Sequence, residues 1–263
     1  MSAHPQSARR PPQDVVLLSA GPGDLELLTL KAVRALAQAE VLLLDELVDP
    51  AIVELAPRAR VVRVGKRGGC RSTPQEFICR LMRRCALQGQ RVVRVKGGEA
   101  LLFGRAGEEI AFLRAAGVAV RIINGVSAAF AAAAALGASL THREHCHGLT
   151  LVTAHTADHG EPDWAALCAT GTTLAIYMGM RRIDSLTRAL LRHLPADTPA
   201  AVVQAASQPG EQRLLTTLSA LAGDAAGLSP GAPGVILVGR ALGEALQTPV
   251  PAAAARAHAT SVA

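Results

Sequence analysis

Apolar residues follow two alternating rhythms along this chain. Short aliphatic runs give way to longer stretches in which apolar residues recur every three or four positions. Val15–Ser19 is the first such run and predicts a buried strand; residues 25–39 follow with Leu27, Leu28, Leu30, Val33 and Leu36 at helical spacing. Val41–Leu44 and residues 61–64 read as two further strands. Thr73-Pro74-Gln75-Glu76 predicts a helix start, with a Thr cap, Pro in the first helical position and Glu three residues after the cap. That helix should bury Phe77, Ile78, Leu81, Met82 and Cys85 and expose Arg80, Arg83 and Arg84. Residues 91–96 read as a strand ending in Gly97-Gly98, 108–115 as a helix and 118–123 as a strand.

Strands alternating with helices across residues 15–123 imply βαβ units and a parallel sheet. Residues 125–137 predict an Ala-rich helix. The alternation then resumes, with strands at Leu149–Thr153, 172–178, 200–204, 213–216 and 235–238, and helices at 164–167 and 182–194. The expected fold class is therefore α/β. The organisation expected is an N-terminal α/β domain over 14–124, a C-terminal α/β domain over 125–246, and flexible tails at 1–13 and 247–263. The halves share no sequence repeat.

Composition sharpens this picture. Half of the 263 residues are hydrophobic but only 2% are aromatic, so the core must be built from Ala, Val, Leu and Ile. The formal charge of +6 leaves room for an anionic partner. One Trp, one Tyr and four Phe offer few platforms for stacking single-stranded bases, whereas duplex binding through phosphates stays open. A small polyanion fits at least as well. Five cysteines without a C-x-x-C pair argue against a disulfide framework or a zinc module and for reduced thiols in the cytoplasm. No signal peptide is evident, and the longest apolar stretch, residues 126–140, is short for a membrane span.

Candidate chemistry gathers at strand ends. Ala20-Gly21-Pro22-Gly23-Asp24 stands between the first strand and the first helix, where α/β sheets bind ligands. It is neither a dinucleotide fingerprint nor a phosphate-binding loop. Lys96-Gly97-Gly98-Glu99 repeats the arrangement, and Arg105, Glu108 and Glu109 follow it. Asp45 ends the second strand and Lys66 follows the third; if those strands are adjacent, a carboxylate and an ammonium share one cleft and could exchange protons with a substrate. His142, His145 and His147 invite a metal reading, with His145 and His147 on one strand face, but no second ligand cluster supports it; the expected metal is none.

Taken together these motifs resemble the tetrapyrrole methylase family from about Val15 to Arg240. The resemblance rests on Ala20-Gly-Pro-Gly-Asp24, Leu27-Leu-Thr-Leu-Lys-Ala32, Val64-Gly-Lys-Arg67, Ser72-Thr-Pro-Gln75, Val92-Val-Arg-Val-Lys-Gly-Gly98, Phe103-Gly-Arg105, Gly107-Glu-Glu109, Leu140-Thr-His-Arg143 and Tyr177-Met-Gly179. It implies two α/β domains with a cleft between them, a homodimer, and S-adenosyl-L-methionine as methyl donor. The GKR and S-x-P-Q stretches favour those members that transfer two methyl groups to uroporphyrinogen III, yielding precorrin-2 for sirohaem, cobalamin and haem d1. The donor site implied comprises Pro22, Gly97, Gly98, Glu99, Leu102, Ser127, Ala128, Met178 and Ala206. Asp45 and Lys66 correspond to a proton acceptor and donor, and Arg105, Glu108 and Arg143 to residues handling substrate and proton removal. The chain departs from the family pattern at Glu99-Ala100 (usually Asp then Pro), Glu46 (usually Arg), Asn124 (usually Pro) and Ala205-Ala206-Ser207 (often Asn-Gly-Thr). Methylation of another precorrin, a cofactor-binding relative without turnover and a basic RNA-binding module remain as other readings.

Overall fold

The computed structural model describes residues 10–65, 73–155 and 160–247. Lys66, Cys70, His159 and most of both expected tails lie outside them. The chain divides into two compact units between Ala128 and Ala129.

In the first unit five strands, β1 (Val15–Ser19), β2 (Val41–Leu44), β3 (Arg60–Arg63), β4 (Val92–Lys96) and β5 (Val120–Ile123), form one sheet in the order β3-β2-β4-β1-β5. Every pairing is parallel, as the βαβ pattern predicts. Helices α1 (Leu30–Ala37), α2 (Gln75–Leu87) and α3 (Ala106–Ala115) cover it. Side chains alternate across a strand, so each strand feeds two cores. Val15, Leu17, Val41, Leu43 and Val92 pack against α2 and α3 through Ile78, Leu81, Met82, Cys85 and Leu113. Val16, Leu18, Leu42, Leu44, Val93 and Val95 pack with Ala32 and Leu36 of α1 and with Ile52. The outer strands carry exposed Arg60, Arg63 and Arg121, charges that discourage edge pairing.

Several local expectations are corrected. Residues 25–39 are not one helix: Leu25–Leu27 form a 3-10 turn capped by Asp24, and α1 starts afresh behind Thr29, whose Oγ1 accepts from Ala32 N at 3.1 Å. Two side-chain caps in succession interrupt the helix, and Leu30 is left 75% exposed. Thr73 does not cap α2. Pro74 occupies the cap position without a side-chain bond, while the Thr73 hydroxyl donates to Gly65 O at 3.5 Å. Phe77 is exposed rather than buried, because α2 turns Ile78, Leu81, Met82 and Cys85 to the sheet.

The second unit holds β6 (Leu149–Thr153), β7 (Thr173–Tyr177), β8 (Pro199–Gln204), β9 (Gln212–Thr217) and β10 (Gly234–Val238) in the order β6-β7-β10-β8-β9. Only β6 and β7 pair in parallel; the other three pairings are antiparallel. One face of this sheet packs with Trp164, Cys168, Leu186, Leu190, Leu218 and Leu221. The helices here are α4 (Ala128–Leu136), which opens at the division between the units, α5 (Trp164–Ala169), α6 (Ile183–Leu190), α7 (Leu221–Asp224) and α8 (Gly243–Gln247). Helix α6 is shorter than the 182–194 pattern and follows a 3-10 turn at Met180–Arg182. His145 and His147 do not lie on a strand. A tight turn joins His142 to Cys146 through two backbone hydrogen bonds, and His142 and His145 stack with ring centres 4.4 Å apart.

Candidate functional site

All five strands of the parallel sheet end at one edge, and there the glycine turns meet. The turn after β1 and the turn after β4 are bound to one another: Gly21 N donates to Gly98 O at 3.1 Å, and Gly98 N to Gly21 O at 2.7 Å. Gly21 (φ 74°) and Gly98 (φ 63°) both adopt left-handed backbone, which Gly enters without the Cβ clash that other residues meet. A Cβ added to Gly98 would meet only Ala128 N at 3.9 Å, so this turn presents bare backbone beside the start of α4. Pro22 is buried behind it, and Leu102 N donates to Glu99 O at 3.0 Å to close the next turn.

Ser19, the last residue of β1, anchors the loops on either side. Its Oγ accepts from Ala100 N at 2.8 Å. Gly125 packs so tightly on Ser19 that an added Cβ would stand 2.9 Å from Ser19 O. The Glu99 carboxylate then bridges the two loops, accepting from Gly125 N at 3.0 Å, Leu101 N at 3.1 Å and Asn124 Nδ2 at 3.4 Å. Pro22, Gly97, Gly98, Glu99, Leu102, Ser127 and Ala128 are thus assembled at the ends of β1, β4 and β5.

Asp45 follows β2 at the same edge. Its Oδ1 accepts from Arg94 Nη2 at 2.6 Å. Lys66, expected to share a cleft with Asp45, lies outside the described residues. Arg94 is 2% exposed and also donates through Nε to Glu109 at 3.2 Å. Glu109, fully buried, accepts as well from Lys96 Nζ at 3.3 Å and Gln75 Nε2 at 2.9 Å. Burial pushes the Lys96 ammonium below its ordinary pKa, and Arg94 adds to the effect; Glu109 and Asp45 oppose it. Two cations and two carboxylates therefore balance beneath the loop that carries Gly104, where a Cβ would fall 2.9 Å from Lys96 Cε.

Arg105 and Glu108 stand together on the outside of that loop. Arg105 caps α3 in left-handed backbone (φ 56°) and donates to both Glu108 oxygens, at 2.8 and 2.7 Å. This bond, made to the charged carboxylate, holds Glu108 below its ordinary pKa. Arg143, Met178 and Ala206 belong to the second unit. Arg143 is exposed in the His142–Cys146 turn. β7 and β8 are both antiparallel to β10, so their carboxyl ends share one edge of the mixed sheet. Met178 (φ 57°, 49% exposed) lies just past β7, and buried Ala206 lies past β8 between Ala205 (φ 48°) and Ser207 (φ 64°). Non-Gly residues in this region store strain of about 1–3 kcal/mol each and concentrate at functional sites.

The sequence reading did not single out Arg94 and Gln75, nor the joining of Lys96 and Glu109 with them in one buried cluster. A signal existed: Arg94 and Lys96 sit at alternate positions of an otherwise aliphatic strand, so both point to one face of a sheet covered on both sides. Among the described residues, no group of three or more His, Cys, Asp or Glu could hold a metal ion, and no helix is long and apolar enough to cross a membrane.

Two α/β units, with bare glycine turns gathered where parallel strands end and an arginine-held carboxylate beside them, are the frame of a ligand-binding enzyme of the α/β class. The chain belongs to the tetrapyrrole (corrin/porphyrin) methylase family, whose model matches residues 14–222. It is 47% identical over 237 residues to the uroporphyrinogen-III C-methyltransferase of Pseudomonas aeruginosa, covering 90% of this chain and 97% of that one. Siroheme synthase 2 of Aeromonas hydrophila is 43% identical over 86% of this chain, but this chain spans only 48% of it. Among solved structures, the uroporphyrin-III C-methyltransferase of Thermus thermophilus complexed with S-adenosyl homocysteine is similar with TM-score 0.75 and 38% identity, over 88% of this chain and 99% of that one. A cobalt precorrin-4 methyltransferase gives TM-score 0.78 at 28% identity, over 87% of this chain and 95% of that one.

Proposed function

We propose that this chain transfers two methyl groups from S-adenosyl-L-methionine to uroporphyrinogen III, forming precorrin-2, as a cytoplasmic homodimer. The observation that carries the reading is the 47% identity to a uroporphyrinogen-III C-methyltransferase along almost the full length of both chains. The local chemistry suits such a donor. The Gly21 and Gly98 turns, tied to one another through their backbones, carry no side chains of their own and so let a ligand approach the main chain closely. Pro22, Gly97, Gly98, Glu99, Leu102, Ser127 and Ala128 hold the donor; the family resemblance assigns Met178 and Ala206 to it as well.

When bound, the donor supplies an electrophilic methyl group on a sulfonium. The macrocycle would supply the electron pair from an enamine-like pyrrole carbon; as the C–C bond formed, the methyl–sulfur bond would break, S-adenosylhomocysteine would leave with that pair, and a surplus proton would remain on the ring system. Asp45 accepts that proton, its carboxylate oriented by Arg94 at 2.6 Å. Lys66 returns a proton elsewhere on the macrocycle. Arg105 and Arg143 grip substrate carboxylates, since an exposed guanidinium matches a carboxylate bidentately. Arg105 donates through Nε and Nη2 to Glu108, so an incoming carboxylate must displace Glu108 or bind the other edge of the guanidinium.

The test is anaerobic incubation with uroporphyrinogen III and labelled methyl donor, followed by mass analysis. A gain of two methyl groups is expected. No gain by folded protein that binds the donor would overturn the reading, and preferential methylation of a later precorrin would replace the substrate.

A further inference from the structure

The Glu99 carboxylate is a bridge between loops. Three protein donors converge on it: Leu101 N from its own turn, and Gly125 N and Asn124 Nδ2 from the loop after β5. Strand β1 lies between β4 and β5, so Glu99 reaches across the end of a whole strand to make these bonds. A carboxylate offers about four acceptor positions, and three are filled. Ser19 closes the assembly from below, holding Ala100 N on one side and leaving Gly125 no room for a side chain on the other. Gly97-Gly98 lies just before the bridge on one loop, and Ser127-Ala128 lies two residues beyond it on the other.

We infer that Glu99 and Asn124 are a coupled pair of positioning residues, which fix the spacing between the Gly97-Gly98 turn and the Ser127-Ala128 turn and so set donor affinity without Asn124 touching the donor. This rests on the reading above, that the donor lies against these turns. Side-chain length is what makes the bridge. Shortening Glu to Asp withdraws the carboxylate by about 1.5 Å. Gly125 N, now 3.0 Å away, then falls outside hydrogen-bonding distance unless the loop moves. Asn124 is exposed and its amide meets Glu99, so its loss affects the pair with little risk to folding. The two positions are also places where the chain departs from the family pattern, and here they are partners.

Calorimetry with S-adenosylhomocysteine on wild type, Asn124→Ala, Glu99→Ala, Glu99→Asp and the double variant Glu99→Ala/Asn124→Ala tests this, with thermal melts to establish folding. Asn124→Ala is expected to weaken binding about threefold, the value of one modest hydrogen bond. Glu99→Asp should weaken it about tenfold, and the double variant should bind no worse than Glu99→Ala alone. In turnover by Asn124→Ala, KM for the donor should rise while kcat is kept. Unchanged affinity in Asn124→Ala, or additive losses in the double variant, would overturn the coupling and make Glu99 a direct donor contact. Wild type that fails to bind S-adenosylhomocysteine would instead sink the methyltransferase reading itself.

Discussion

Replacing Glu109 with Gln gives the sharpest test of the buried charge cluster. The substitution keeps the side chain's shape and removes one negative charge from a fully buried site. Arg94 and Lys96, 2% and 3% exposed, then share Asp45 as their remaining counter-charge in the cluster. Breaking a buried pair by deleting one partner costs about 3–5 kcal/mol. The amide oxygen at position 109 can still accept from Gln75 Nε2, now 2.9 Å from the carboxylate, so a loss near about 3 kcal/mol is expected at neutral pH. Lys96 can respond by shedding its proton. Its folded pKa is already lowered by burial and by Arg94, and the variant loses the Glu109 charge and hydrogen bond that oppose this. Between that depressed value and the ordinary lysine pKa the unfolded chain binds more protons than the folded one, so stability rises with pH. In the variant this window opens at lower pH, so its deficit should shrink as the pH rises toward the ordinary lysine value, by at most about 1.4 kcal/mol per pH unit. Urea titrations followed by far-ultraviolet circular dichroism would measure it; the sole tryptophan, Trp164, lies in the other unit and is a poor reporter. A deficit below about 1 kcal/mol, or one constant with pH, would refute the account.

Other outcomes follow from the same geometry. Asp45→Asn should lower methylation about a hundredfold or more, the usual worth of a general base, while calorimetry finds S-adenosylhomocysteine affinity within about twofold of wild type. Gly125→Ala should destabilise the fold by about 1–3 kcal/mol in urea titrations, because its Cβ would press on Ser19 backbone; Gly97→Ala, which meets Leu47 Cβ at 3.4 Å, should fold normally and lose donor affinity. Met178→Gly should relieve left-handed strain and raise stability by up to about 1 kcal/mol, whereas Met178→Val should lower it, as thermal melts would show.

Much of the fold was legible because strands and helices announce themselves by local period. Val15–Ser19, Val41–Leu44 and Leu149–Thr153 form as the apolar runs predict, and the parallel order of the first sheet follows from its βαβ alternation. Periodicity misled where polar caps outweighed it, at Asp24 and Thr29, and where a helix turned a large residue outward, at Phe77. It was silent about the second sheet, since an apolar run does not state the direction of its neighbour; the antiparallel pairings around β10 are set by how the intervening segments return the chain.

The sequence by itself determined the alternating α/β character, the aliphatic core and the glycine turns at strand ends, since each is a property of residues close together in the chain. Family membership was also written there, in motifs that are individually short. Only the tertiary structure decided which charges meet. Asp45 and Arg94 are far apart in sequence and join because β2 and β4 are neighbours in the sheet. Glu109 joins Lys96 and Gln75 because α2 and α3 pack on the same face. Glu99 meets Asn124 because β4 and β5 flank β1. Strand order is a long-range outcome of packing, and a polar contact made across it has no local signature in the chain.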